Sequence, residues 1–557
     1  MMFWKSLVAV LLSGAVVAGS ARAHEPQTSA QLAQAEASAA VPLYDNLGNL
    51  TYPVTTPNPL AQRYFDQGLR LTYAFNHAEA LRAFREAQRQ DQNCAMCYWG
   101  EAFVLGPNIN APMDETAGNP AVAAITQAKV LAPRASAREQ ALIGALTKRY
   151  ADDPKIERAA LDRAYAEAMA DATQRFPDDP EIAVLSIDAI MNLSPWDYWE
   201  ADGKTSKGQI GDAMRIAERV LGQHPDHPGA IHLYIHLTEA SAASERAEPY
   251  ANRLAALMPG AGHIVHMGSH TFFRVGRYQD SAETNKAAVK ADETYLASVK
   301  AEGIYPYGYY PHNIHFVLAS AQMSGDAKTA LEYAQRLEGK IPDAMAEKVG
   351  WVQAIKTAPY FVHAQFSTPA TILTLPDPGD QFPLVKAMWH YARGVGFAAQ
   401  SGSAQAAREA AHIAEITQKA DFSFLLAWTV PAPDLLRLAR HVVEGRIALA
   451  QGDPTRAIKE FQVAVSIQDS LAYMEPPYWY YPVRQSLGAA LLAAGKPAEA
   501  EQAFTQSLVQ APHNGWALYG LMKAQQAQNN EAAARETEKR LQQTWAGDPA
   551  ALTLKRL

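Results

Sequence analysis

A 34-residue period constrains this chain more than any other feature. In 481-YPVRQSLGAALLAAGKPAEAEQAFTQSLVQAPHN-514, Gly488, Gly495, Ala500, Phe504, Ser507 and Pro512 mark two helices joined by a turn and closed by proline. The same order of small, aromatic and small residues returns as Gly68, Ala80, Phe84 and Ala87 in residues 61–94. It returns again as Gly445, Gly452, Ala457, Phe461 and Ala464 in residues 438–471. A fixed period of this length means one helix-turn-helix unit stacked on copies of itself, because no single unit can bury its apolar face alone. Small residues stand where two backbones approach closely, the aromatic fills the gap, and proline ends the second helix. Helical periodicity elsewhere, without evenly spaced alternating strands, makes the chain all-α.

Weaker copies fill the middle. Residues 228–261 carry Ala247, Ala251 and Pro259, residues 262–295 carry Ser269, Gly276, Ser281 and Ala288, and residues 311–344 carry Gly325, Ala330 and Pro342. These units resemble tetratricopeptide repeats. The resemblance implies a helical solenoid, a right-handed superhelix in which the first helix of each unit lines the concave side and positions two, five and nine face that groove.

The segment order follows from this register. Lys5, the apolar stretch Leu7 to Gly19 and Ala21-Arg22-Ala23 form a cleavable signal peptide over 1–23, so the mature protein is expected to be periplasmic or secreted, with no membrane insertion after cleavage. Cleavage after Ala23 exposes His24, and whether its amine and imidazole bind copper is left open. Residues 24–58, rich in Ala, Gln, Ser, Thr and Pro, read as a flexible leader. Then come N-terminal helical repeats over 59–193, a central block over 194–344 and C-terminal repeats over 345–557. A net charge of −8 over 557 residues, with no Lys/Arg run, speaks against nucleic acid as a partner.

The central register has a chemical consequence. Position five of the three central units is His232, His266 and His315; position nine is His236, His270 and Ala319; position two is Gly229, His263 and His312. No histidine set the register, yet seven of these nine groove positions are histidine. With 16 His in the whole chain of 557, the stretch from His232 to His315 would hold about two or three by chance. Glu239 adds a carboxylate three residues after His236. Spacings of three and four put these side chains on one helical face, where imidazole pairs chelate a transition metal and a neighbouring helix completes the ligand set. All-nitrogen ligation favours Cu or Zn, with Fe as a further option. Leu233 follows His232, so the HExxH pattern of a zinc protease is not present.

Other groups carry less. Cys94 and Cys97, the only two cysteines, fit a local disulfide in an oxidising compartment; Tyr98 stands where a CxxCH haem site needs histidine. Two aromatic loops, 194-SPWDYWEADG-203 and 296-LASVKAEGIYPYGYY-310, flank the histidines. They read as packing or as a lid over the groove, with Tyr310 and Glu239 as the candidate catalytic residues.

The blocks 229-GAIHLYIHLTEAS-241, 262-GHIVHMGSH-270 and 309-YYPHNIHF-316 resemble a group of bacterial exported tetratricopeptide proteins, in which proline usually stands where this chain has Gly268. The resemblance runs from about residue 60 to the end and implies the helical fold and a shared His-rich groove, without an activity. The expected function is binding of one or two metal ions by His232, His236, His263, His266, His270, His312 and His315. A metal-dependent hydrolase or oxidase would use that centre on a small molecule. The alternatives are a scaffold holding a peptide or protein partner in the groove, and a metal buffer or chaperone.

Overall fold

Phe504 is the wedge of the best-formed repeat. It is fully buried between the helices Val483–Ala493 and Pro497–Gln510, and a Cβ added to Gly488 would lie 2.5 Å from its ring, so only glycine fits there. Gly68 and Phe84 meet in the same way between Pro59–Tyr73 and His77–Gln90, as do Gly445 and Phe461 between Ala432–Ala450 and Pro454–Ser470. The period read from the sequence is therefore a packing rule, repeated at three places along the chain.

The computed structural model describes residues 41–153 and 155–557. The expected signal peptide and His24 fall outside the described residues. The unit Leu43–Leu557 is a series of helix pairs, each helix packed chiefly on its neighbours in sequence, which is the all-α solenoid expected. Among the described residues there is no β-strand, only the isolated bridges Asn108–Ala111 and Trp199–Ser206. No helix among them is long and apolar enough to cross a membrane.

The central units are Pro228–Glu239 with Glu248–Leu257, Gly262–Arg274 with Tyr278–Ser298, and Tyr310–Ser324 with Ala327–Leu337. Local signals set their ends. His227 caps the first, its Nδ1 accepting from Ala230 N–H; Gly325 closes Tyr310–Ser324 in the left-handed region at φ 84°; Asp326 caps the following helix.

Three segments differ from the sequence reading. Residues 43–58, expected to belong to a flexible leader, lie as an extended strap on the first repeat. Leu47, Tyr52 and Val54 are buried, Tyr44 N–H donates to Gln67 at 2.8 Å and Thr51 donates to Asp66 at 2.7 Å. The polar composition that suggested flexibility supplies these bonds to the helices instead. The Tyr-rich insertion is no free loop either: Tyr305–Tyr309 form a π-helical turn continuous with Tyr310–Ser324. Finally, residues 343–373 hold only short helices, Asp343–Ala346, Gly350–Ile355, Ala358–Phe366 and Pro369–Leu373, where repeats were expected. Pro342, Pro359 and Pro369 punctuate that stretch, each denying the helix before it an N–H donor.

The C-terminal repeats pack back on Tyr310–Ser324. Trp516 Nε1 donates to the Gln322 carbonyl at 3.0 Å, Ala546 N–H to Ser324 at 2.9 Å, and Tyr480 Oη to Gln322 Oε1 at 2.9 Å. This return brings 472-AYMEPPYWYYP-482 over the histidine-bearing helices.

Candidate metal centre

Two clusters of three histidines form, and the repeat builds both in the same way. Ligand atoms of His232, His236 and His263 lie within 4.8 Å of one another, as do those of His266, His270 and His312. In each cluster positions five and nine of one unit meet position two of the next. Residues four apart share a helical face, and the neighbouring first helix enters at its N-terminal end. His315 occupies position five of the third unit, but its position nine is Ala319, so no third cluster forms. His315 stands apart, 6.1 Å from the Tyr480 ring, with Nδ1 unpartnered.

The hydrogen bonds assign the tautomers. His232 Nδ1 lies 2.6 Å from the Tyr73 carbonyl oxygen, which can only accept. His236 Nδ1 lies 2.7 Å from Glu239 Oε1, and His270 Nδ1 bonds Glu239 Oε2. His266 Nδ1 lies 2.5 Å from Asn285 Oδ1, an orientation fixed because Asn285 Nδ2 donates to the Ser281 carbonyl at 2.8 Å. All four rings therefore carry a hydrogen on Nδ1, and in the neutral ring Nε2 presents a bare lone pair.

The Nε2 atoms face each other. Nε2 of His232 and Nε2 of His236 are 3.1 Å apart, Nε2 of His266 and Nε2 of His270 are 2.7 Å apart, and His312 Nε2 lies 3.1 Å from His266 Nε2. Two bare nitrogens at such distances repel unless a cation lies between them. Imidazoles bound to one ion at about 2.0–2.1 Å stand roughly 2.9–3.4 Å apart, for angles from square to tetrahedral. The donor set fits a transition-metal ion in each cluster, the two 3.1 Å spacings directly and the 2.7 Å spacing of His266 and His270 after a small opening of that pair. Both ring nitrogens of His263 lack a partner although the residue is 2% exposed, a rare condition for a buried polar group.

Burial, reinforced by the neighbouring imidazoles, pushes His232, His263, His266 and His312 well below the usual histidine range, and burial lowers His236 as well. These rings are neutral at pH 7, the state that binds metal. Glu239 sits between the clusters. Burial alone would raise its carboxyl, but His270 and His236 hold it down to about 2, so it is ionised and orients one ring of each cluster.

The surroundings are aromatic. Phe75, in the turn between the first two helices at φ 53°, stacks on His263 at 5.3 Å and lies 4.5 Å from His232. Trp196 meets His236 edge-on at 5.3 Å, with its Nε1 donating to Asn110 at 3.1 Å, so the expected covering role fits this tryptophan. Tyr310 does not reach the site: it is buried in the neighbouring core and its hydroxyl donates to Glu293 at 2.8 Å. Tyr309, one residue earlier, packs on His263 at 4.7 Å and takes the place proposed for it. The π-turn rotates the chain just before the helix and sends the earlier tyrosine inward.

A cavity of about 530 Å³ opens beside the histidines, lined among others by His236, His263, His270, His312, Tyr309 and Glu475. Sequence reading missed Phe75 and the whole segment 472–482. The second could have been found from its density of Pro and aromatic residues between two repeats; Phe75 carried no such signal. Cys94 and Cys97 are joined, with an S–S distance of 2.05 Å, well inside the N-terminal repeats.

A comparison with known families matches residues 491–557 to the tetratricopeptide repeat. No curated protein matches the chain in sequence. Among solved structures, the human IFIT1 dimer with m7Gppp-AAAA is 12% identical over 88% of this chain and 91% of that one, with a TM-score of 0.30. The Naa15/Naa10 structure bound to HypK-THB is 13% identical over 87% of this chain and 70% of that one, with a TM-score of 0.23. The family match and the stacked helix pairs identify a tetratricopeptide-repeat solenoid.

Proposed function

We propose that this chain is an exported tetratricopeptide-repeat protein that binds two transition-metal ions, one held by His232, His236 and His263 and the other by His266, His270 and His312. The observation that carries this reading is the opposition of bare Nε2 atoms whose tautomers are set by acceptor-only partners at Nδ1. Three imidazole nitrogens per ion leave coordination positions open, as catalytic sites do. Cu and Zn suit such ligands best, with Fe also possible.

An open position beside a cavity supports a metal-dependent hydrolase or oxidase in preference to a buffer, which needs no substrate space. Glu239 is then an orienting carboxylate and not the base, because both its oxygens are committed to Nδ1 hydrogens.

Elemental analysis of protein purified without an affinity tag tests the reading. About two metal ions per chain are expected. Less than about 0.2 per chain, unchanged after reconstitution with Cu, Zn and Fe, overturns it. The rival reading, a scaffold for a peptide or protein partner, is favoured by the repeat match over residues 491–557. It would place the partner away from the histidines, five of which are at most 2% exposed.

A further inference from the structure

The two histidine clusters border one another and one cavity. His236 and His263 of the first cluster and His270 and His312 of the second all line it. Across the boundary the rings of His236 and His270, both at position nine, lie 5.5 Å apart between centroids, and His263 lies 5.6 Å from His266. Ring pairs in contact within a cluster span 4.6 to 6.1 Å, so the boundary is no wider than the clusters themselves. Neighbouring helix axes stand roughly 8–10 Å apart, and side chains pointing to the inside of a curved stack converge from there. Glu239 spans the same boundary, one oxygen on His236 and the other on His270.

Two divalent ions held at this boundary bring four positive charges, to which imidazole ligands add no negative one. Beside them stand Glu239 and, beyond the Tyr473 hydroxyl that bonds both carboxylates, Glu475. Asp162, the other acidic residue on the cavity wall, is committed to Arg149 and Arg158. Even with Glu239 and Glu475 both ionised, two positive charges stay uncompensated among buried rings, where such charge is costly. An anion entering from the cavity offsets them, and one with two donor atoms reaches both ions at once. The wall beyond, with Trp196, Trp351, Phe361 and Leu384, suits an apolar body attached to that anion.

We infer that the two clusters form one binuclear centre whose ions together bind the oxyanion head group, carboxylate or phosphate, of a single small apolar molecule lying along the cavity wall. The inference rests on the two-ion reading above and adds to it that the ions act as a pair on one molecule.

The test uses tag-free full-length protein loaded with Cu(II), its metal content checked by elemental analysis. In a paired centre each Cu(II) broadens the electron paramagnetic resonance signal of the other. The signal should sharpen when the same protein is loaded with Cu(II) in a large excess of Zn(II), which leaves most Cu(II) beside a diamagnetic ion; this arm needs no variant. Benzoate and phenylphosphonate serve as anion probes in calorimetry, and whichever binds tighter identifies the head group. One anion per chain is expected. Benzamide, of similar shape without the charge, should bind at least about tenfold more weakly than benzoate. His266→Leu, which keeps only the first cluster, should weaken anion binding at least about 100-fold, the scale lost when two linked contacts become one. Two anions per chain, equal affinity in the parent and His266→Leu, or a signal unchanged by Zn(II) dilution overturns the inference and leaves the two-ion reading standing. Less than about 0.2 metal per chain overturns that reading, and the paired centre with it.

Discussion

His266 and His270, one helical turn apart, point Nε2 at Nε2 across 2.7 Å while Asn285 and Glu239 occupy their Nδ1 atoms. With both rings neutral, no hydrogen lies between them. The arrangement is unfavourable as a packing solution and favourable as half of a ligand shell.

This relationship separates the clusters experimentally. His266→Leu removes a ligand shared by both short contacts of the second cluster, with His270 and with His312, and leaves His232, His236 and His263 untouched. Metal content should fall from about two to about one per chain. In the presence of chelator the variant should unfold within about 1–3 kcal/mol of the parent, because relief of the opposed nitrogens is set against the buried Asn285 Oδ1 that loses its donor. Loss of both ions with loss of helicity would favour a packing role.

Glu239 joins the clusters through one oxygen each to His236 and His270. Glu239→Gln keeps the shape, but an amide can accept from only one Nδ1 hydrogen and turns a donor against the other. Affinity at one or both sites should fall about 10- to 100-fold, the usual effect of removing a partner that orients a metal-bound histidine. Competition titration with a chromogenic chelator reads both sites. A change confined to stability, with unaltered affinities, would remove Glu239 from the centre.

The repeat register was readable because its cause is local: Gly488 and Phe504 form a pair at fixed spacing, and such pairs recur with the period. Six of the seven histidines expected in the groove converge for the same reason. His315 does not, because the cluster runs diagonally from positions five and nine to position two of the next unit, and Ala319 leaves its turn incomplete. The choice between Tyr309 and Tyr310 depended on a π-turn, which shifts side-chain direction without any mark in the hydrophobic pattern. Phe75 and Glu475 come from repeats far away in sequence and arrive through tertiary return, which no local spacing encodes.

The same wedge predicts a sharp steric effect. Gly488→Ala puts a methyl 2.5 Å from the Phe504 ring, which is itself pinned from the other side by Gly520. Destabilisation of about 1–3 kcal/mol is expected by chemical denaturation. Gly495→Ala, where an added Cβ meets nothing but φ is 71°, should cost only about 1 kcal/mol through backbone strain.

Asp292 offers a pH test away from the histidine rings. It is fully buried, accepting from Tyr305 Oη at 2.8 Å and Asn313 Nδ2 at 2.7 Å. Burial raises its carboxyl to about 7; the two hydrogen bonds oppose this and Glu293 adds to it. The folded chain therefore holds a proton that the unfolded chain has lost, so stability from this group is full below about pH 4 and declines as pH rises to about 7. At higher pH the ionised form costs on the order of 4 kcal/mol. Asp292→Asn should gain on the parent between pH 4 and 7, measured as the difference in unfolding free energy. A flat difference across that window would refute the assignment.

Phe75 tests what the aromatic cover does. At φ 53° it holds a left-handed conformation that costs a non-glycine residue roughly 1–2 kcal/mol, and such strain persists where the surrounding contacts over-determine it. Those contacts are the rings of His232 and His263, so the strain is held against the first cluster. Phe75→Gly removes the strain and the cover together. If the ring only fills space, the variant should be destabilised by several kcal/mol, as for other buried aromatic deletions, with metal exchange unchanged. If it seals the cluster, relief of strain offsets part of that loss, and the ion at His232, His236 and His263 should exchange faster with a chelator. The ion at His266, His270 and His312, which Phe316 flanks instead, should keep its rate. Biphasic release in the variant, with one phase accelerated and one unchanged, is the expected result.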